Sequence, residues 1–131
     1  MKLSSNGLAH LGLRVTNLDR ARQFYVDTLG FQPIVDLPDL LICNAYGSII
    51  AFRGNAVQTD KEDRFNPYRV GLDHVALGVP DLNALEDMKR ELDKANVPNN
   101  DIEQDERTHV NYISFYDPDG IAWELYLVPK G

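Results

Sequence analysis

The chain has little cysteine and no long apolar run. Its single cysteine among 131 residues cannot form an internal disulfide, so nothing suggests a secreted fold held together by disulfide bonds. No stretch approaches the roughly 20 consecutive apolar residues of a membrane-spanning helix, and residues 1–7 lack the apolar stretch of a signal peptide. We therefore expect a cytoplasmic protein that does not associate with membranes.

Basic residues are fewer than acidic residues. The chain has 13 lysines and arginines against 20 aspartates and glutamates, which gives a formal net charge of −7. A nucleic-acid-binding protein needs a basic face for the phosphate groups, so we expect no nucleic-acid partner. The length suits one domain, or two small modules fused together.

A repeat is visible within the chain. The pattern of residues 8–19 returns in residues 72–83. The matching positions are Leu8/Leu72, His10/His74, Leu13/Leu77, Val15/Val79 and Leu18/Leu82. Self-similarity of this kind indicates a repeated unit of secondary structure.

Each copy opens with the alternation that is typical of a half-buried strand. The apolar residues on one face are Leu11, Leu13 and Val15 in the first copy and Val75, Leu77 and Val79 in the second. His10 and His74 therefore lie on the opposite face, which is left free to line a cavity.

A helix is predicted after each of these strands. Asn17 and Asp81 are short polar residues that can cap the start of a helix. Gly30 is suited to end the first helix, and Asn96 with Pro98 ends the second. The expected apolar stripe of the second helix consists of Leu82, Leu85, Met88, Leu92 and Ala95.

Three further strands are predicted in each copy. They span about residues 31–37, 40–46 and 48–53 in the first copy and about 100–105, 109–116 and 121–128 in the second. Each copy thus has the order β-α-β-β-β, so we expect an α+β fold of two modules, residues 8–53 and 72–128, in one domain that takes in residues 1–131. The polar segment 54–71 is the linker, and it is long enough to act as a lid as well.

Two imidazoles and one carboxylate are the candidate metal ligands. Glu124 lies in a strongly apolar strand, where an ionised carboxylate is costly without a cation or hydrogen-bond partners. His10 and His74 are assigned to similarly apolar strands. A single histidine in a strand is usually a core residue whose ring nitrogens have hydrogen-bond partners. Two at equivalent repeat positions, together with a strand carboxylate, predict a divalent-cation site with open coordination positions.

Other polar side chains are predicted to face the same cavity. Tyr112, Ser114 and Tyr116 alternate with apolar residues along one strand. Tyr112 could act as a catalytic proton donor or orient a substrate, although a phenol that only packs explains the pattern as well. Ser114, Tyr116 and Tyr126 are candidate substrate-binding residues.

Charged residues near the strand ends are less specific. Arg53 ends a strand and could bind an anionic substrate group, but a solvated arginine is the simpler interpretation. Arg107 and His109 follow a charged loop and are expected to be solvated. Cys43 is expected to be a small buried apolar residue.

Motifs in both copies carry a resemblance to a known family. The first copy has His10 with Leu13 and Val15, then Phe24-Tyr25 and Leu29-Gly30-Phe31; the second has Asp73-His74-Val75-Ala76-Leu77, then Asp117-Pro118-Asp119-Gly120 before Glu124. Over about residues 8–128 these motifs resemble the vicinal oxygen chelate superfamily. That superfamily contains glyoxalase I, extradiol dioxygenases, fosfomycin-resistance enzymes, epimerases and bleomycin-binding proteins.

The resemblance implies two sheets curled into a cup and a metal held by His10, His74 and Glu124. It implies an enzyme that chelates a small substrate through neighbouring oxygens, with Fe, Mn, Zn or Ni as the metal. In short members of the family the cup is shared, so we expect a homodimer in which His10 of one subunit meets His74 and Glu124 of the other.

One departure from the family pattern bears on the reaction. Aligning Gly47 on Gly120 puts Ala51 at the usual fourth ligand position, and alanine cannot coordinate a metal. A site with three ligands resembles the sites of extradiol dioxygenases and fosfomycin enzymes. This resemblance slightly favours dioxygenase-like chemistry. A glyoxalase-like lyase or isomerase, a fosfomycin-modifying transferase and a metal-free drug- or metabolite-binding protein stay open as alternatives.

Overall fold

The same order of elements occurs twice in the computed structural model, which describes residues 1–129. The first unit, Met1–Asp63, contains β1 (Leu11–Arg14), α1 (Leu18–Arg22) with a π-helical continuation (Gln23–Thr28), β2 (Gln32–Leu37), β3 (Leu40–Ala45) and β4 (Ser48–Arg53). The second unit begins at Arg64 and contains β5 (Val75–Val79), α2 (Leu82–Lys94), β6 (Glu103–Gln104), β7 (Asn111–Tyr116) and β8 (Ala122–Leu127). The predicted α+β class and the two β-α-β-β-β modules are confirmed.

Each unit contains one four-stranded mixed sheet. The strand orders are β1-β4-β3-β2 in the first and β5-β8-β7-β6 in the second, so the two topologies are the same. The first and last strands of each unit pair in parallel, and the other neighbours are antiparallel. The residue that precedes the first strand is therefore placed beside the last strand in both sheets.

Both helices begin where the sequence predicts. The side chain of Asn17 accepts a hydrogen bond from the backbone N–H of Arg20, and that of Asp81 accepts one from Ala84. These caps satisfy N–H groups that have no partner within the helix. No helix within residues 1–129 is long and apolar enough to cross a membrane.

The second half of the first helix departs from α geometry. The N–H of Leu29 bonds to the carbonyl of Phe24, five residues back, and the N–H of Phe31 bonds to that of Tyr25. This wider turn allows the neighbouring side chains of Phe24 and Tyr25 both to be buried. The ring of Tyr25 stacks on Phe52 with centroids 4.1 Å apart, and such aromatic contacts add to the stabilisation from burial.

Helix α2 covers one face of the second sheet through a narrower stripe than predicted. Leu85 and Leu92 are buried, whereas Leu82 and Met88 are exposed, as is Ala95. The predicted stripe is wrong at these three positions, because only the line of Leu85 and Leu92 points at the sheet.

Two strand boundaries in the second unit also need correction. β6 is limited to Glu103–Gln104 instead of residues 100–105, and Asn99 forms only an isolated bridge with Phe115. The expected strand at 109–116 starts later because His109 has a positive φ of 60°, which does not fit a strand.

Candidate metal centre

The second sheet brings His74 and Glu124 together. Strands β5 and β8 are parallel neighbours in which Ala76 lies opposite Glu124. His74 comes directly before β5, two residues from Ala76, and thus lies on the same face of the sheet. Its Nε2 atom is 3.4 Å from Oε1 of Glu124. The expectation that the histidines lie within strands needs one correction, since β5 starts one residue after His74.

Asp73 contacts the other nitrogen of the same imidazole. Its Oδ1 atom lies 2.7 Å from Nδ1 of His74. An ionised carboxylate only accepts hydrogen bonds, so Nδ1 carries the proton and donates it. In the neutral ring the lone pair is then on Nε2, which faces Glu124.

The carboxylate of Glu124 is partly withdrawn from water. Its side chain is only 20% exposed, and this burial raises the pKa of Glu124 above its usual value. The nearby imidazole of His74 lowers that pKa, while the negative charges of Asp105 and Asp73 raise it again. A positive partner at Oε1 would therefore favour the ionised form.

The donor atoms of this pair fit a divalent metal. Imidazole nitrogen and carboxylate oxygen are both ligands of zinc, manganese and iron. Two such ligands at about 2.1 Å from one ion, at about the tetrahedral angle, are roughly 3.4 Å apart, which agrees with the distance from Nε2 of His74 to Oε1 of Glu124. Within the described part of the chain, no group of three or more His, Cys, Asp or Glu side chains is placed to hold a metal.

The first unit holds the counterparts of these residues. His10 is exposed and comes directly before β1, as His74 comes before β5. Gly12 of β1 lies opposite Ala51 of β4, which is the place that Glu124 has in the second sheet. The strand registers thus agree with the alignment of Ala51 on Glu124, and the methyl group of Ala51 offers no donor atom.

A row of polar side chains lies beside Glu124 on its face of the second sheet. In the pairing of β7 with β8, Ser114 lies opposite Glu124, Tyr112 opposite Tyr126, and Tyr116 opposite Ala122. All of these residues are half-buried. The alternation predicted for this strand is confirmed, because Ile113 and Phe115 are buried on the other face.

Both phenols nearest the loop before β7 have hydrogen-bond partners. The hydroxyl of Tyr112 donates to Oε2 of Glu103 at 3.2 Å, and that of Tyr126 lies 2.7 Å from Oγ1 of Thr108. Burial raises the pKa of Tyr112, and the hydrogen bond to Glu103 raises it further. Tyr112 therefore keeps its proton at neutral pH and acts as a hydrogen-bond donor.

The charged candidates lie on exposed parts of their units. Arg53 ends β4 and pairs in register with Arg14 of β1, and both residues are exposed. Arg107 and His109 are exposed in the loop before β7, as predicted.

Three residues around the candidate site were missed by sequence reasoning. Asp73 has a signal in the sequence, since it directly precedes a candidate ligand. Glu103 and Thr108 have none, because their contacts with Tyr112 and Tyr126 depend on the pairing of β6 and on the path of the following loop.

Known proteins share this fold. The glyoxylase/bleomycin resistance protein/dioxygenase domain from Frankia sp. EAN1pec superimposes with a TM-score of 0.79 at 25% identity, covering 95% of this chain and 98% of that one. The glyoxalase family protein from Enterococcus faecalis superimposes with a TM-score of 0.79 at 22% identity, covering 92% of this chain and 97% of that one. For the fosfomycin resistance protein FosX from Listeria monocytogenes the TM-score is 0.74 at 18% identity, with 95% of each chain covered.

No curated protein matches the chain, but its sequence matches a family pattern over nearly its whole length. Residues 7–125 fit the pattern of the Glyoxalase/Bleomycin resistance protein/Dioxygenase superfamily. Both candidate histidines and Glu124 lie within the matched range. The chain therefore belongs to the Glyoxalase/Bleomycin resistance protein/Dioxygenase superfamily.

Proposed function

We propose that this chain is the subunit of a divalent-metal-dependent enzyme that acts on a small molecule bound through two neighbouring oxygens. The observation that carries the proposal is the approach of His74 Nε2 and Glu124 Oε1 to 3.4 Å on neighbouring strands. His10, at the equivalent place in the first repeat, is the third ligand. Three protein ligands leave coordination positions open for water and substrate.

A dication held by these residues would supply Lewis-acid stabilisation of negative charge on the two substrate oxygens. The chain's own residues then bind and orient the substrate. Tyr112 lies on the same face as Glu124, and we assign to it the donation of a hydrogen bond or a proton to the substrate, in place of its hydrogen bond to Glu103.

Substrate contacts are assigned to the remaining polar candidates. Ser114, Tyr116 and Tyr126 follow the Glu124 face of β7 and β8 and combine apolar surface with hydroxyl groups, which suits a small oxygenated molecule. Arg53 is assigned to an anionic group of the substrate, because its guanidinium is exposed and permanently charged.

The reaction class favoured is dioxygenase-like. Ala51 takes the place of a fourth ligand in register with Gly12, so the ligand set has three members rather than four. A glyoxalase-like lyase or isomerase is the second candidate, although enzymes of that kind resemble one another in having four protein ligands at the metal. A fosfomycin-modifying transferase would also use three ligands.

A homodimer is the proposed assembly, with two sites that each take His10 from one subunit and His74 with Glu124 from the other. Exposed large apolar side chains occur in the N-terminal segment and in the linker 54–71: Met1, Leu3, Leu8, Val57, Tyr68 and Val70. Contact with a second subunit would cover such side chains, and twofold dimers are the commonest assemblies. Segment 54–71 is proposed as linker and lid, and the cytoplasm as the location.

Metal binding by single-site variants tests this proposal. The protein is purified under mild conditions, its metal content is measured, and Fe, Mn, Zn and Ni are titrated into the metal-free form. We expect His10→Ala, His74→Ala and Glu124→Gln each to lose tight binding. His109→Ala is the matched control, since it removes the third histidine of the chain from an exposed loop and leaves binding unchanged.

Two results would contradict the proposal. One is a wild-type protein that neither contains nor takes up any of the four metals. The other is binding of a small-molecule ligand that is as tight in His10→Ala and Glu124→Gln as in the wild type, which would favour a metal-free drug- or metabolite-binding protein.

A further inference from the structure

We propose that Asp73 is a positioning residue of the metal site, whose carboxylate keeps the proton of His74 on Nδ1 and thereby presents the Nε2 lone pair for coordination. This inference rests on the proposed function, because it concerns one of the ligands assigned there. It adds a residue that does not itself contact the metal.

The imidazole of His74 lies between two carboxylates. Asp73 Oδ1 is 2.7 Å from Nδ1, and Glu124 Oε1 is 3.4 Å from Nε2. The shorter contact has the length of a charge-assisted hydrogen bond, so it determines which nitrogen carries the proton. The longer contact then joins two acceptors, an arrangement that a cation between them stabilises.

Without Asp73 the same ring has a competing state. A proton on Nε2 would be donated to Glu124, and this hydrogen bond would have to break before either atom could bind a metal. Carboxylates that fix the tautomer of a ligating histidine typically change metal affinity for this reason. Asp73 therefore affects the metal site by excluding the competing hydrogen bond.

A purely structural role does not explain Asp73. Its side chain is 77% exposed, and exposed ion pairs contribute little to stability. In the first repeat, Ala9 occupies the corresponding place before His10. The equivalent strand β1 therefore forms without a carboxylate at this position. What Asp73 does change is the chemical state of His74.

The tautomer of His74 in the metal-free protein is the first readout. Nuclear magnetic resonance of protein labelled with ¹⁵N-histidine, at a pH where the ring is neutral, identifies the protonated nitrogen. We expect Nδ1–H in the wild type and a shift to Nε2–H in Asp73→Ala. Asp73→Asn retains Nδ1–H, because its amide oxygen accepts the same hydrogen bond. Asp27→Ala removes another exposed aspartate and serves as the control with no change.

The affinity for Zn²⁺ alone is the second readout. Asp73→Ala raises the Kd by roughly 10- to 100-fold, the usual effect of losing such a partner, Asp73→Asn raises it less, and Asp27→Ala leaves it unchanged. An unchanged tautomer in Asp73→Ala, or an unchanged Kd while His74→Ala abolishes binding, overturns the role of Asp73 and leaves the proposed function intact. Zn²⁺ binding that survives His74→Ala overturns the proposed function and this inference together.

Discussion

Ala51 and Glu124 occupy the same place in two sheets of the same topology. Ala51 lies opposite Gly12 in the parallel pair β1–β4, and Glu124 lies opposite Ala76 in the parallel pair β5–β8. The duplication therefore provides two equivalent positions, and only one of them holds an acidic side chain. This asymmetry is the basis for the three-ligand set that we propose.

Restoring a carboxylate at the vacant position tests this equivalence. Ala51 is buried, so Ala51→Glu lowers the Tm of the metal-free protein, because an unpaired buried carboxylate is unfavourable. We expect Mn²⁺ or Zn²⁺ to raise its Tm more than that of the wild type, with a Kd lower by on the order of tenfold, or about 1.4 kcal/mol. Thermal melts and metal titrations measure both effects.

Ala51→Gln is the matched control for that variant, because it has nearly the same volume and no charge. An equal response of the Glu and Gln variants to metal would show that position 51 does not reach the site.

If the site is shared between subunits as proposed, two different single-site variants should restore metal binding when they are mixed. Neither His10→Ala nor His74→Ala alone has an intact site. When the two are unfolded together in equal amounts and refolded, half of the dimers are mixed and each mixed dimer has one intact site. Metal content then recovers to roughly a quarter of the wild-type value.

Each variant refolded alone provides the control for that experiment and stays without metal. A mixture that also stays empty would contradict the shared site, since a site built within one chain cannot be restored by mixing.

Trp123 is expected to dominate the stability of the second unit. It is fully buried, and its ring stacks on Phe115 with centroids 6.2 Å apart. Trp123→Ala should lower the free energy of unfolding by about 3–5 kcal/mol, as measured by urea denaturation followed by circular dichroism. Glu86→Ala, at an exposed site on α2, should stay within about 0.5 kcal/mol of the wild type. A small effect of Trp123→Ala would contradict this packing.

Cys43 gives a prediction for thiol reactivity. Its burial, expected from the sequence, is confirmed, and burial raises the pKa of its thiol from 9.0 to about 11. Because the thiolate is the reactive form, we expect a thiol reagent at pH 8 to label denatured protein fully and native protein only at the rate of unfolding. Rapid labelling of the native protein would contradict the burial of Cys43.

The same shift links Cys43 to stability at high pH. A folded-state pKa above the unfolded value means that the contribution of Cys43 is complete below pH 9 and is lost as the pH rises from 9.0 towards about 11. Cys43→Ala removes this part of the pH dependence, so a comparison of the two unfolding curves isolates it. Identical pH profiles for the two proteins would contradict the shift.

The parts of the fold that the sequence predicts are those with local signals. Asn17 and Asp81 identify helix starts because capping depends on a short side chain and its near neighbours. The repeat puts His10 and His74 at equivalent positions, although each precedes its strand instead of lying within it. The glycine alignment pairs Ala51 with Glu124 as the strand registers do. Periodicity also placed Ser114 on the face of Glu124.

The parts that the sequence could not supply depend on tertiary packing. The π-helical turn occurs together with packing of Tyr25 on Phe52, and the helical period of the sequence does not distinguish it from an α-helix. The exposure of Met88 depends on which line of α2 faces the sheet, since Leu85 and Leu92 on either side of it along the helix are buried. The contact between Asp73 and His74 depends on a rotamer, which residue spacing alone does not determine.

The most direct test of a metal site at His10, His74 and Glu124 is anomalous scattering from crystals of the protein grown with Mn²⁺ or Zn²⁺ and measured at the absorption edge of that metal. We expect one strong peak per subunit, in contact with both imidazoles and the Glu124 carboxylate, and with Ala51 nearby. A peak bound to other residues, or no peak in crystals grown at saturating metal, would contradict it.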